Sequence, residues 1–505
     1  MNGPSGRGLY LGLDIGTSVI KAALLDEAGL EIASTARRNA ASPAPPGWSE
    51  LDAERTWAGV IETLAAVMKG QDARRLRAMG VTGVMVGAWL IDGDGAVLRP
   101  PILWNDARAQ ALVDGMLART PDLYERVFDG SGSLMQLGCI LPVLAWLKEN
   151  EPEHVAAAQT VLCAKDYLRF RLTGTLATDE SEAAMAPGSA RARGFDRGQA
   201  QRLGVADLWH LLPPVGQAGT LAGTITAAAA AETGLPEGLP VAVGTGDTGA
   251  SVLGAGCSAP GQAATVLGTT CLSGVLSETP AFEPRQGLLF ILPEGLWMRT
   301  MVNIAGTTVL DWALSALAPD IAAGPDPYEA LGRVAEAAPA HAEGALFLPY
   351  LSDSGVIAPK VEPRARAGFF GLTPRHDRPA LVRAVYEGLA HAIRHCYGDI
   401  GASLSVIRLS GGGARSTFWS QMIADATGIP VEIPAGREFG AKGAALCGAT
   451  AVGDFASVRE ASAATFALSR RHEPDAAAHA AFGAAHEAYL AASAAGLGPL
   501  TGLTR

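Results

Sequence analysis

Residues 9–26 read LYLGLDIGTSVIKAALLD, and the fold turns on how that stretch is parsed. Leu9 to Asp14 form a short apolar strand, closed by Gly16-Thr17-Ser18, a turn without large side chains. Val19–Asp26 supplies a second strand, Glu27-Ala28-Gly29 a hairpin turn, and EIASTARR (31–38) a third strand. This antiparallel opening argues against a simple βαβ nucleotide fold, in which a helix follows the first glycine turn. A turn of Gly16, Thr17 and Ser18 lets phosphate oxygens approach backbone N–H groups. Lys21 lies just beyond it. Asp14 is placed to hold Mg²⁺ through water, because that ion keeps much of its hydration shell.

The pattern returns in the second half. ATVLGTTCLSGVLSE (264–278) repeats the order strand, Gly-Thr turn, strand, a weak internal duplication. Its Leu267-Gly268-Thr269-Thr270 is a second phosphate-sized turn. Ser410-Gly411-Gly412-Gly413-Ala414-Arg415-Ser416 follows the strand VIRLS and precedes a helix at 417–427. Three consecutive glycines allow flat contact with a purine or ribose, and the helix start offers N–H donors.

GTGDTG (244–249) matches GxGxxG after the strand VAV. A dinucleotide site needs an acidic residue about 20 positions on. ATVLGTTCL (264–272) supplies none, and an Asp inside the turn would repel a pyrophosphate. Asp247 at a strand-to-helix turn suits a different role, accepting the proton of a hydroxyl that attacks a γ-phosphoryl group. It also suits helix capping, and the two roles are compatible. No GxxxxGK[ST] occurs, which excludes a P-loop.

Bulk properties bound the rest. The 505 residues exceed one ordinary core and predict two large domains. Hydrophobic residues make up 49% and charged residues 18%, which suits a globular chain with much buried surface. The net charge of −11 with no basic run excludes nucleic acid as an expected partner. The apolar stretch near the N-terminus is broken by Asp14 and Lys21, so no membrane span is expected there. Six cysteines without a CxxC pair, and no signal-peptide core, point to a reduced cytoplasmic protein. Nine histidines lack HExxH spacing, against zinc. Helical spacing runs through 52–68, with Trp57, Val60, Ile61, Leu64 and Val67 on one face. The Ala-rich tail from about 461 reads as a helical cap. Trp104, Asn105, Asp106 and Arg108 form a polar loop, read equally as a sugar contact or a salt-bridged turn.

In order and spacing, these motifs resemble the sugar kinases of the FGGY family, in the hexokinase–actin–Hsp70 superfamily, over about residues 9–450. LWNDAR (103–108), KDYLRFRLTG (165–174), FLPYL (347–351) and WSQMIADATG (419–428) also look like family segments, nearest to xylulokinases and related pentulose kinases. The resemblance implies an α/β fold of two ribonuclease-H-like domains, at 1–254 and 255–505, each with a mixed five-stranded sheet, closing over a cleft. It implies ATP and Mg²⁺ as cofactors and a small sugar or polyol as substrate, and leaves a homodimer open. Asp247 would be the catalytic base. Asp14 would lie near Mg²⁺, with Gly16, Thr17, Ser18 and Lys21 facing the ATP phosphates. Gly268 and Thr269 would hold the terminal phosphates, and Gly306, Gly411, Gly412 and Arg415 would line the nucleoside. Met85, Val86, Trp104, Asp106, Asp247 and Thr248 would face the sugar. The chain departs from the Gln-Met-His-Gly segment that xylulokinases usually carry, reading Val84-Met85-Val86-Gly87. The missing imidazole puts D-xylulose in question and leaves L-xylulose, erythritol and other polyols open. Thr248 where xylulokinases usually carry Asn, and Val143 where the family often has Lys, are further departures.

Overall fold

The computed structural model describes residues 8–496 apart from 40, 353–354, 359–360 and 363. Two mixed sheets organise it. The first contains β1 (Leu9–Ile15), β2 (Val19–Asp26), β3 (Glu31–Arg38), β4 (Leu76–Gly83), β5 (Leu221–Thr224) and β6 (Pro240–Ala242). Their spatial order is β3-β2-β1-β4-β6-β5. β1 pairs antiparallel with β2 and parallel with β4, so every residue of its apolar run is buried between neighbours. β3 lies at the edge, where its arginines and alternating exposure discourage further pairing.

The second sheet contains β7 (Gln262–Leu267), β8 (Cys271–Ser277), β9 (Leu288–Leu292), β10 (Leu296–Asn303), β11 (Val406–Ser410), β12 (Val431–Pro434) and β13 (Leu468–His472). Their order is β9-β10-β8-β7-β11-β12-β13. β7 is antiparallel to β8 and parallel to β11, as β1 is to β2 and β4. The repeated strand–turn–strand pattern therefore marks equivalent places in two sheets. Each has the expected five strands, extended by β5 in the first and by β9 and β13 in the second.

β13 corrects the helical reading of the tail. LSRRH pairs antiparallel with β12, where Arg471 meets Glu432 at 2.6 Å. Pairing with an open sheet edge overrides the helix-forming composition around it. The tail helix follows, at Ala476–Gly496.

Helices cover the sheets. α1 (Ala53–Val67) buries Trp57, Val60, Leu64 and Val67, and the Asp52 side chain caps it by accepting from Arg55 N. α2 (Ala164–Thr173) and α3 (Asp247–Gly254) belong to the first half of the chain, and α4 (Phe439–Ala451) to the second. α4 nevertheless packs on β1 and β4, through a strip of Ala441, Ala445 and Ala449 against Tyr10, Ala23 and Ala78. The approach is backbone to backbone. A Cβ on Gly12 would fall 1.7 Å from Ala441 O, and one on Gly443 would fall 1.9 Å from Ala250 O. Only glycine permits this contact. α3 and α4 thus cross where the two sheets meet. All six cysteines are buried and unpaired, and no described helix is long and apolar enough to cross a membrane.

Candidate active site

β6 delivers the chain into Gly244-Thr245-Gly246, a turn tied to β4 by Thr82 Oγ1, which donates to Thr245 O at 2.6 Å. Gly246 caps α3 and Asp247 is its first residue. The Asp247 side chain is partly exposed. Its Oδ1 accepts from Thr248 N at 2.6 Å and Thr248 Oγ1 at 3.3 Å. Among the described residues no group bonds Oδ2. Burial pushes the carboxyl up to about 6, while the Thr248 bonds and the Lys21 charge oppose the rise. A carboxylate of that basicity, with one free oxygen, can take a proton from an alcohol near neutral pH.

Asp14 stands at the end of β1 and is 9% exposed. Burial first, then the negative charge of Asp247, raise its carboxyl to about 7; Lys21 lowers it and Glu438 adds to the rise. Lys21 Nζ lies 3.1 Å from Glu438 Oε2, at the start of α4. Three carboxylates therefore share one ammonium group. That excess of negative charge fits a divalent cation at Asp14, whose carboxylate accepts no hydrogen bond from the described residues. No group of three or more His, Cys, Asp or Glu among them is arranged to hold a metal alone. An ion there would complete its shell with water and phosphate oxygens, as Mg²⁺ commonly does. Beside it, Thr17 Oγ1 accepts from Trp104 Nε1 at 3.2 Å, and Trp104 is 42% exposed. Gly16 and Thr17 are partly exposed, and Ser18 is exposed.

In the second half three turns adjoin. Gly306 N donates to Thr269 O and Thr307 N to Gly268 O, both at 2.7 Å. A Cβ on Gly411 would lie 2.5 Å from Leu267 O. Gly268, Thr269, Gly306, Gly411, Gly412 and Arg415 thus gather at the ends of β7 and β11, with Thr269, Gly412 and Arg415 exposed.

Asp106 is a correction. Its oxygens accept four bonds, from Ser49 N and from Arg108 N, Nε and Nη2. The side chain has no exposed surface, so every acceptor position is consumed within the loop. Arg108 also pairs with Glu50 and stacks on Trp48. The loop is salt-bridged at Asp106, while Trp104, Asn105 and Ala107 are exposed. Met85 and Val86 are 7% and 3% exposed and adjoin the Asp247 turn; a Cβ on Gly246 would meet Met85 Sδ at 2.5 Å.

The N-terminal domain of the FGGY family of carbohydrate kinases matches residues 9–254, and the C-terminal domain matches residues 263–452. The chain belongs to the FGGY family. An Escherichia coli xylulose kinase is 34% identical over 94% of this chain and 96% of its own length. A Brucella abortus erythritol kinase is 33% identical over 88% of each. The solved xylulose kinase of Rhodospirillum rubrum superposes with a TM-score of 0.86 at 29% identity, covering 96% of this chain and 98% of that one. As an FGGY member the chain is an ATP-dependent kinase of a small sugar or polyol, and the dinucleotide interpretation of GTGDTG is set aside.

Sequence reasoning missed two features around these residues. Glu438 is remote from Lys21 in sequence, and only the crossing of α4 over β1 joins them. Behind the Asp247 turn lies a buried ionic cluster. Lys165 pairs with Asp166 at 2.5 Å and with Asp179, and Arg169 with Asp166 at 3.1 Å. The signal was present as charges inside KDYLRFR, a helix otherwise rich in core residues.

Proposed function

We propose that this kinase transfers the γ-phosphoryl group of ATP to a hydroxyl of a ketopentose such as xylulose, with Asp247 as general base. The observation that carries the proposal is the Asp247 carboxylate, partly exposed at the first turn of α3, with Oδ2 free and its basicity raised toward neutrality. Residues 1–254 would supply the sugar and base, and residues 255–505 the nucleotide turns. Oδ2 takes the acceptor's proton as the oxygen attacks phosphorus, and the Thr248 bonds hold the carboxylate in place. Trp104, braced on Thr17, would orient the acceptor beside the phosphate turn. Thr269, with the N–H groups around Gly268, would hold the outgoing phosphates. Lys21 would exchange Glu438 for a phosphate oxygen. Mg²⁺ held at Asp14 would neutralise charge on the transferring group.

A second acceptor class, a short polyol such as erythritol, is favoured by one feature. Met85 and Val86 bring no side-chain donor to the wall next to Asp247, where a hydroxyl-rich acceptor would need one. The similarity to an erythritol kinase supports the same class.

The deciding experiment is a coupled assay of ADP release with Mg²⁺-ATP across ketopentoses, tetritols and glycerol. ADP release that requires one of these acceptors is expected. ATP turnover indifferent to all of them would defeat the proposal.

A further inference from the structure

The segment Val84-Met85-Val86-Gly87 does not take the backbone its residues prefer. Val86 sits at φ 56°, in the left-handed region, and Gly87 follows at φ 83°. A β-branched residue there is an outlier that its surroundings must hold in place. Gly87 is fixed through its N–H, which donates to Gly138 O at 2.9 Å. Val86 N donates to Glu182 Oε2 at 2.8 Å. Glu182 is fully buried, and its Oε1 has no hydrogen-bond partner among the described residues.

The residue before it grips the other side. Ser181 Oγ accepts from Gly246 N at 3.0 Å and lies 3.3 Å from Thr245 Oγ1. It donates in turn to Asp179 Oδ1 at 2.5 Å. Two consecutive side chains thus fasten the wall at Val86 and the turn that carries Asp247 to one buried cluster.

We propose that Glu182 is a positioning residue, holding Val86 in its left-handed form and so setting the acceptor wall against Asp247. This rests on residues 84–87 forming that wall. Glu182 acts through the Val86 amide and does not touch the acceptor. Burial raises its carboxyl to about 8, against the pull of Lys165. Glutamine keeps an oxygen that can accept from Val86 N without the carboxylate's charge, so it should replace Glu182.

The test combines kinetics with amide exchange. Glu182→Gln should keep the wild-type acceptor KM. Glu182→Ala should raise that KM about tenfold, as loss of a buried amide's acceptor does, with ATP KM changed by no more than about twofold. Peptides covering 84–90 should exchange faster in Glu182→Ala. Glu182→Asp, too short to reach, should shift both readouts the same way and serves if the alanine variant fails to fold. Glycine accepts φ 56° without strain, so in a Val86→Gly background the Glu182→Ala effect should shrink to about twofold. An undiminished effect in that background would overturn the proposal, as would equal rises in both KM values or unchanged exchange. Exchange needs no substrate. Faster exchange in a protein that phosphorylates no tested acceptor would refute the proposed activity and leave the role of Glu182 standing.

Discussion

The hairpins Leu9–Asp26 and Gln262–Ser277 occupy the same place in their sheets, each beside a parallel strand, yet their chemistry is opposite. Measured from the turn glycines Gly16 and Gly268, Asp14 corresponds to Val266 and Lys21 to Ser273. The first turn carries a carboxylate raised to about 7 and an ammonium tied to Glu438. The second offers exposed Thr269 and Thr270 and no charge. One scaffold thus yields a charged turn near Asp247 and an uncharged turn with two exposed hydroxyl residues. Phosphoryl transfer needs both, because charge must be neutralised at the moving group while the remaining phosphates need only be held.

The sharpest way to break this contrast is at Asp247. Asp247→Ala should lower kcat by about 10²–10⁴-fold in the ADP-release assay, the range for loss of a general base; near-normal turnover would remove the charged side of the contrast. Asp14→Asn should reduce kcat by about 10²-fold and raise the Mg²⁺ concentration needed for half-maximal rate. The same change should stabilise the ligand-free fold. The folded carboxyl titrates above its ordinary 3.8, so its contribution is best below that pH and is lost as pH rises through about 7. Asn should raise Tm by about 2 °C at pH 8 and by less at pH 5, measured by calorimetry.

Moving the charge tests the neutral side. Val266→Asp puts a carboxylate where Ser273 stands in place of the matching lysine, and ATP KM should rise about tenfold with acceptor KM unaffected. The pH profile should follow Asp247. Because the base must be ionised, kcat/KM for the acceptor should fall below pH 6, by about tenfold at pH 5; a flat acid limb would mean that another group takes the proton. The smallest effect is expected from Thr269→Ala, a rise of about threefold in ATP KM, as for one exposed hydroxyl bond.

How much of this the sequence disclosed follows from which interactions are local. The strands β1, β2 and β11 were legible because apolar runs ended at glycine turns, and α1 because its apolar spacing matched a helix. β13 was not, since LSRRH becomes a strand only by meeting the edge of β12. The strand-to-helix turn that carries Asp247 was legible from the glycines around it. Asp106 misled, because the sequence shows a polar loop and not that Arg108 beside it consumes both oxygens. Glu438 and Glu182 were invisible for a related reason. Their meaning lies in Lys21 and Val86, brought near by α4 and by the short helix Glu180–Met185.

The seating of α4 has a consequence for any attempt to divide the chain. A fragment ending near residue 254 would keep β1 and β4 but lose the helix that lies on them, leaving the stripe of Gly12, Tyr10 and Ala78 open to solvent. The complementary piece would carry α4 without β1, β4 and α3 beneath it. Expressed singly, each should be prone to aggregate; expressed together, they should reassociate by restoring that strip and the other contacts between them, such as Ala184 and Ala190 with Leu289 and Ile291.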